Sequence, residues 1–174
     1  MNTIASFPIS NTTITRYKTQ GYIKLKEVFN REELTVFEKN LDAIVLKEKT
    51  NLSPLEERNT YGKAFIQLGN LWKQDLIVKS LVFSKRIAHI AQQLMEVDSV
   101  RLYHDQALYK EASGGITPWH CDQQYWPLAS DKTVTAWIPL QATPLEMGPL
   151  EFSAGSQTLL QGRNFEIGVE SERE

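Results

Sequence analysis

The residues best suited to chemistry lie in one run, Thr117-Pro118-Trp119-His120-Cys121-Asp122-Gln123-Gln124-Tyr125-Trp126-Pro127. In an extended backbone, side chains two residues apart point to the same face. His120 and Asp122 therefore aim an imidazole and a carboxylate at a common point while Cys121 points away, so one strand supplies two metal donors. Two histidines and one carboxylate on one face of an iron leave positions open for a co-substrate and oxygen, which suits oxygenases. The His-x-Asp pattern alone is short. It also describes an ordinary surface hydrogen bond between the two side chains, so its surroundings must separate the two readings.

Those surroundings divide into a helical first half and a strand-rich second half. Residues 1–20 are polar and without a clear period, and Gly21-Tyr22-Ile23-Lys24-Leu25 alternates as a short strand does. Asn30 followed by Glu33 makes a capping-box start, and Leu34, Phe37, Leu41 and Ile44 recur at helical spacing, so a helix is predicted to about Lys47. Residues 50–60, with Pro54 in the middle, read as a loop. Ser84 can cap a second helix whose buried face is Ile87, Ile90, Ala91 and Leu94, preceded by a shorter helix over residues 75–81. After Asp98 the pattern turns to alternation over residues 100–109, a break at Ser113-Gly114-Gly115, a β-branched and aromatic stretch over residues 133–140, and turns at Met147-Gly148-Pro149 and Ser153-Ala154-Gly155-Ser156. Helices followed by short strands predict a sheet core with a helical buttress, not alternating βαβ units.

The composition fits a soluble metabolic protein. At 174 residues the chain is the size of one domain. Lys and Arg number 19 against 21 Asp and Glu, for a net charge of -2, which gives no electrostatic reason to expect nucleic acid or an anionic membrane as partner. One cysteine, Cys121, rules out an internal disulfide and a Cys-x-x-Cys zinc site, and no targeting or membrane-spanning stretch is read. The expected location is the cytoplasm.

Taken together, Pro118-Trp119-His120-Cys121-Asp122, Tyr125-Trp126-Pro127, Thr135-Ala136-Trp137-Ile138-Pro139-Leu140, Met147-Gly148-Pro149-Leu150 before Gly155-Ser156, and upstream Tyr103-His104-Asp105-Gln106-Ala107-Leu108-Tyr109-Lys110 resemble the phytanoyl-CoA dioxygenase family. The resemblance is strong over residues 101–156 and weaker from about Gly21. It implies a mainly β fold with N-terminal helices, whose core is a double-stranded β-helix, the cupin-like jelly roll, incomplete at its C-terminal end. The chain is then a single domain over residues 1–174, with 21–98 as helical buttress and 99–174 as partial jelly roll. It also implies Fe(II) with 2-oxoglutarate as co-substrate, molecular oxygen, and hydroxylation of a small molecule coupled to decarboxylation of 2-oxoglutarate to succinate. His120 and Asp122 match the first two iron ligands. Trp137 matches a position beside 2-oxoglutarate, while Gln106 and Lys110 lie on a strand lining the same cavity; core packing for Trp137 and a solvated strand end for Lys110 are the bland alternatives. A retained Asp122 points to hydroxylation, since related halogenases leave that position empty for halide.

The chain departs from the family pattern downstream. The resemblance implies a third ligand, a histidine, well after the first two, followed by an arginine that pairs with 2-oxoglutarate. The histidines here are His89, His104 and His120, and Gln157 follows Gly155-Ser156 where a histidine is usual. Arg163 and Arg173 precede the place of the missing histidine, so neither takes the arginine's role. The chain therefore reads as a fragment or a naturally shortened form. Two other readings stand beside the oxygenase: an inactive jelly-roll binding protein that lacks the third ligand, and a cupin-type metalloenzyme using His104 as substitute ligand.

Overall fold

A computed structural model describes residues 7–159 and 166–168. Helix α1, Asn11–Gln20, begins where the Ser10 hydroxyl accepts from Thr13 N–H and ends at Gly21, whose φ of 83° lets its N–H reach the Tyr17 carbonyl. No α1 residue is buried, which explains why no apolar period announces it. Helix α2, Arg31–Lys49, starts at the predicted capping box: Asn30 Oδ1 accepts from Glu33 N–H at 2.8 Å and Glu33 Oε2 from Asn30 N–H at 2.8 Å. Asn30→Ala removes one of these reciprocal bonds and is expected to cost about 1 kcal/mol by chemical denaturation, with an unchanged denaturant slope.

Helix α3, Thr60–Ala64, leads into strand β1, Ile66–Gly69, which pairs antiparallel with β2, Gln106–Tyr109, in the register Ile66 to Tyr109 and Gly69 to Gln106. Helix α4, Leu76–Val82, is capped by Asp75 through bonds from Ile77 N–H (2.7 Å) and Val78 N–H (2.8 Å). Helix α5, Lys85–Met95, follows with Ile90 and Leu94 buried. Ser84 stands at its cap position, but its hydroxyl makes no capping bond. Among the described residues no helix is long and apolar enough to cross a membrane.

The core forms where α2 crosses α4 and both cover one face of the two-stranded sheet. Leu41 and Val45 from α2 meet Leu71, Val78, Leu81, Ile66 and Ala107, with Phe37, Tyr109, Ile138 and Leu140 packed around them. On β2, Ala107 and Tyr109 therefore face the helices. Tyr109 Oη donates to Asp42 Oδ1 at 2.8 Å, and burial, with Asp42 next, pushes this phenol well above its usual range. Asp105 precedes β2 and fixes its start: its carbonyl accepts from Asn70 N–H and its carboxylate from Leu71 N–H at 3.0 Å.

Two clusters of charge tie the helices to the rest. Arg86 spans both Glu33 oxygens at 3.2 Å and also reaches the Val28 carbonyl. Glu111 takes Lys49 at 2.7 Å on one oxygen and Arg58 on the other. Arg86 holds the Glu33 carboxyl below the usual carboxylate range, and Lys49 with Arg58 does the same for Glu111. A depressed folded-state pKa contributes stability that is present above the unfolded value of about 4.3 and lost as pH falls through the folded value. Thermal melts are therefore expected to drop below about pH 4.5, and Glu33→Gln or Glu111→Gln should flatten that acid limb.

The mainly β expectation does not hold for the described residues, which form two four-residue strands beside far more helix. The alternating stretch over residues 100–109 is a strand only at its end, the one at 21–25 is none, and β1 lies where no strand was expected. Alternation makes a segment able to pair, but a strand exists only where its N–H and C=O groups meet a neighbour. Residues 133–140 show the difference: Ile138 and Leu140 pack on the core, yet the segment forms no ladder with another described one. The turns at Ser113 (φ 64°), Gly148 (φ 65°) and Gly155 (φ 82°) lie where the sequence places them.

Candidate metal-binding pair

His120 and Asp122 are carried into place by the turn after β2. Cys121 between them is extended, at φ -115° and ψ 120°, and Asp122 opens a short 3-10 turn, Asp122–Tyr125. The run is thus extended only up to Cys121. The side chains nevertheless converge, with His120 Nε2 3.2 Å from Asp122 Oδ1. The other ring nitrogen is held from behind: His120 Nδ1 lies 2.8 Å from the carbonyl oxygen of Pro118, a buried residue. A carbonyl and a carboxylate both only accept, so Nδ1 donates to Pro118 and, in the protonated ring, Nε2 donates to Asp122.

That carbonyl does what an outer partner of a ligating histidine does, fixing tautomer and ring orientation. Nothing in the sequence marks the Pro118 oxygen for this role. The hydrogen bond to Asp122 raises the His120 pKa, burial works against it, and the Pro118 carbonyl adds to the rise. Side-chain exposures of 25% for His120 and 50% for Asp122 leave both donors open to solvent. One imidazole nitrogen and one carboxylate oxygen at a shared, accessible point fit the donor chemistry of ferrous iron.

The 3-10 turn is braced on both sides. Thr133 Oγ1 donates to Gln123 Oε1 at 3.2 Å, and the Tyr125 hydroxyl accepts from Ile167 N–H at 2.7 Å. The Trp126 ring lies edge-on to Tyr103 at 6.4 Å, and Tyr103 in turn leans on His104 at 5.0 Å.

The remaining candidates, Gln106, Lys110 and Trp137, each turn away from the helical core. Because Ala107 and Tyr109 face the helices, Gln106 and Lys110 point to the opposite side, and by the same alternation Ile138 turns inward while Trp137 is 43% exposed. Simple core packing is therefore not the role of Trp137. Gln106 Nε2 lies 3.2 Å from His104 Nε2, and Lys110 Nζ donates to the Gly115 carbonyl at 3.2 Å. Among the described residues no hydrogen bond joins Gln106, Lys110 or Trp137 to His120 or Asp122, and no third His, Cys, Asp or Glu joins the pair to make a metal group. His104 is thus not grouped with the pair among the described residues. Gln157 is occupied elsewhere, donating to the Lys18 carbonyl at 2.9 Å and the Thr19 carbonyl at 3.3 Å at the end of α1.

The chain is similar to a protein of Stutzerimonas stutzeri described as a probable alpha-ketoglutarate-dependent hypophosphite dioxygenase, at 26% identity over 162 residues, covering 87% of this chain and 56% of that protein. It thus spans about half the length of that relative. No solved structure matches. The family model for phytanoyl-CoA dioxygenase matches residues 17–168, which include His120 and Asp122, and the chain belongs to that family.

Proposed function

We propose that this chain supplies two of the iron ligands, His120 and Asp122, and much of the co-substrate face of an Fe(II)- and 2-oxoglutarate-dependent dioxygenase that hydroxylates a small molecule. The single observation that carries this reading is the convergence of His120 Nε2 and Asp122 Oδ1 at 3.2 Å inside the matched family region. Bound ferrous iron and 2-oxoglutarate supply the oxidising power: one oxygen molecule is consumed, 2-oxoglutarate becomes succinate and carbon dioxide, and a substrate C–H becomes C–OH.

The chain's own residues do the positioning. Pro118 keeps the hydrogen on Nδ1, so His120 offers Nε2, and Asp122 offers a carboxylate on the same side. Lys110 makes no ion pair among the described residues and offers its ammonium to a carboxylate of 2-oxoglutarate. Gln106 and Trp137, on the faces turned from the helices, line the co-substrate and exclude water from it. The jelly roll of residues 99–174 remains part of this proposal.

Anaerobic addition of Fe(II) and 2-oxoglutarate tests the reading. A weak visible charge-transfer band from the chelated co-substrate is expected. Loss of that band in His120→Ala and Asp122→Ala, with retention in His104→Ala, assigns it to the pair. A second reading is favoured by the lack of a third donor among the described residues: a jelly-roll binding protein or inactive fragment. No band in the parent chain supports that second reading. Hypophosphite belongs in the first substrate panel because it appears in the description of the similar Stutzerimonas protein.

A further inference from the structure

Lys110 and Glu111 are adjacent in sequence and opposite in fate. Lys110 leaves β2 on the side turned from the helices, where its side chain lies near Gly148 and its ammonium donates to the Gly115 carbonyl, while Glu111 turns inward, 15% exposed, between Lys49 and Arg58. Arg58 is itself 13% exposed, and its Nε donates to the Ser53 carbonyl at 2.8 Å. The carboxylate thus ties the end of β2 to the α2–α3 connection. A second contact locks the same turn. Gly114 is buried, its N–H donates to the Glu111 carbonyl at 3.1 Å, and a Cβ built on it would lie 2.3 Å from the Lys63 carbonyl.

The turn from Glu111 to Gly115 is therefore nailed to the helical half at both ends, and it fixes the carbonyl on which Lys110 rests. Both cations are spent on Glu111, so this neighbouring carboxylate does not neutralise Lys110. We propose that Glu111 is a positioning residue: through Arg58 and Lys49 it holds the turn that presents an unpaired Lys110 to the anionic co-substrate. This inference rests on the reading of Lys110 as an anchor for 2-oxoglutarate. It adds the α2–α3 connection, which touches neither metal donor among the described residues, to the parts that set co-substrate affinity.

Calorimetric binding of 2-oxoglutarate to the full chain under anaerobic Fe(II), together with amide exchange at Gly114 and Gly115 without metal, tests it. Glu111→Gln is expected to weaken 2-oxoglutarate roughly tenfold and to speed exchange in the turn, with iron affinity held within about threefold. Lys49→Gln removes only the exposed partner and gives a smaller shift in the same direction, which serves if Glu111→Gln fails to fold. The charge exchange Glu111→Arg with Arg58→Glu should restore affinity, because Lys49, 51% exposed, can swing clear. Parental affinity and exchange in Glu111→Gln overturn the proposal. So does a parallel loss of iron and 2-oxoglutarate, which marks a general stabiliser. Unchanged affinity in Lys110→Ala overturns it by a different route, by removing the anchor itself, and so separates failure of the site reading from failure of the positioning role.

Discussion

Asp122→Ala is expected to lower iron-supported turnover of 2-oxoglutarate by roughly a hundredfold or more, as measured by succinate formation. Loss of an outer partner of a metal ligand commonly costs about 10- to 100-fold, and here a ligand itself is removed. The fold should barely notice. Asp122 is 50% exposed at the start of a surface turn, and its described side-chain bond is the one to His120, an exposed pair worth at most about 1 kcal/mol. Full activity with an unchanged melting temperature would remove Asp122 from the ligand set. Asp122→Glu tests geometry separately, since its longer side chain displaces the carboxylate from the point that Nε2 faces.

The largest effect on stability falls at Leu71. It is 1% exposed in a short turn and sits among Leu41, Val45, Ile66, Val78, Leu81 and Ala107. Leu71→Ala leaves a cavity where α2, α4 and the sheet meet and should cost about 2–5 kcal/mol in unfolding free energy. For a chain of this size each kcal/mol shifts Tm by roughly 2–4 °C, so a drop of about 4–20 °C is expected. Its backbone bond to Asp105 survives the substitution, so the loss reads packing and not the hydrogen bond. Leu76→Ala is the matched control. Leu76 is 81% exposed, and its removal should change stability by no more than about 0.5 kcal/mol. Equal losses at the two positions would mean that the core does not lie where the helices cross.

The parts legible in the sequence were those governed by neighbours in the chain. Asn30 and Glu33 announce α2, Asp75 announces α4, and the two-residue step from His120 to Asp122 announces their convergence, because each effect acts over a few residues. Helix α1 is not legible in the sequence because its signals are only its ends, Ser10 and Gly21, without a buried stripe between them. Strand pairing was overestimated for the opposite reason. Residues 100–105 and 133–140 have the composition of strands, but pairing depends on a partner remote in sequence. The Pro118 carbonyl behind His120 and the Arg58–Glu111 clamp were illegible for the same cause, one because it is backbone and the other because 53 residues separate its members.

The direction in which Gln106, Lys110 and Trp137 point became readable only once the core was placed. Alternation gives two faces without naming the inner one. The burial of Ala107 and the packing of Tyr109 and Ile138 against α2 and α4 decide it, and the polar face of β2 then turns away from the helices. That leaves the ammonium of Lys110 on the side turned from the helices, without an ion pair among the described residues.

Anomalous diffraction at the iron edge from anaerobic crystals soaked in Fe(II) tests the central claim most directly. A single peak within bonding distance of both His120 Nε2 and an Asp122 carboxylate oxygen is the predicted result. Iron bound at His104 or His89, or no peak between His120 and Asp122 at saturating metal, would contradict it.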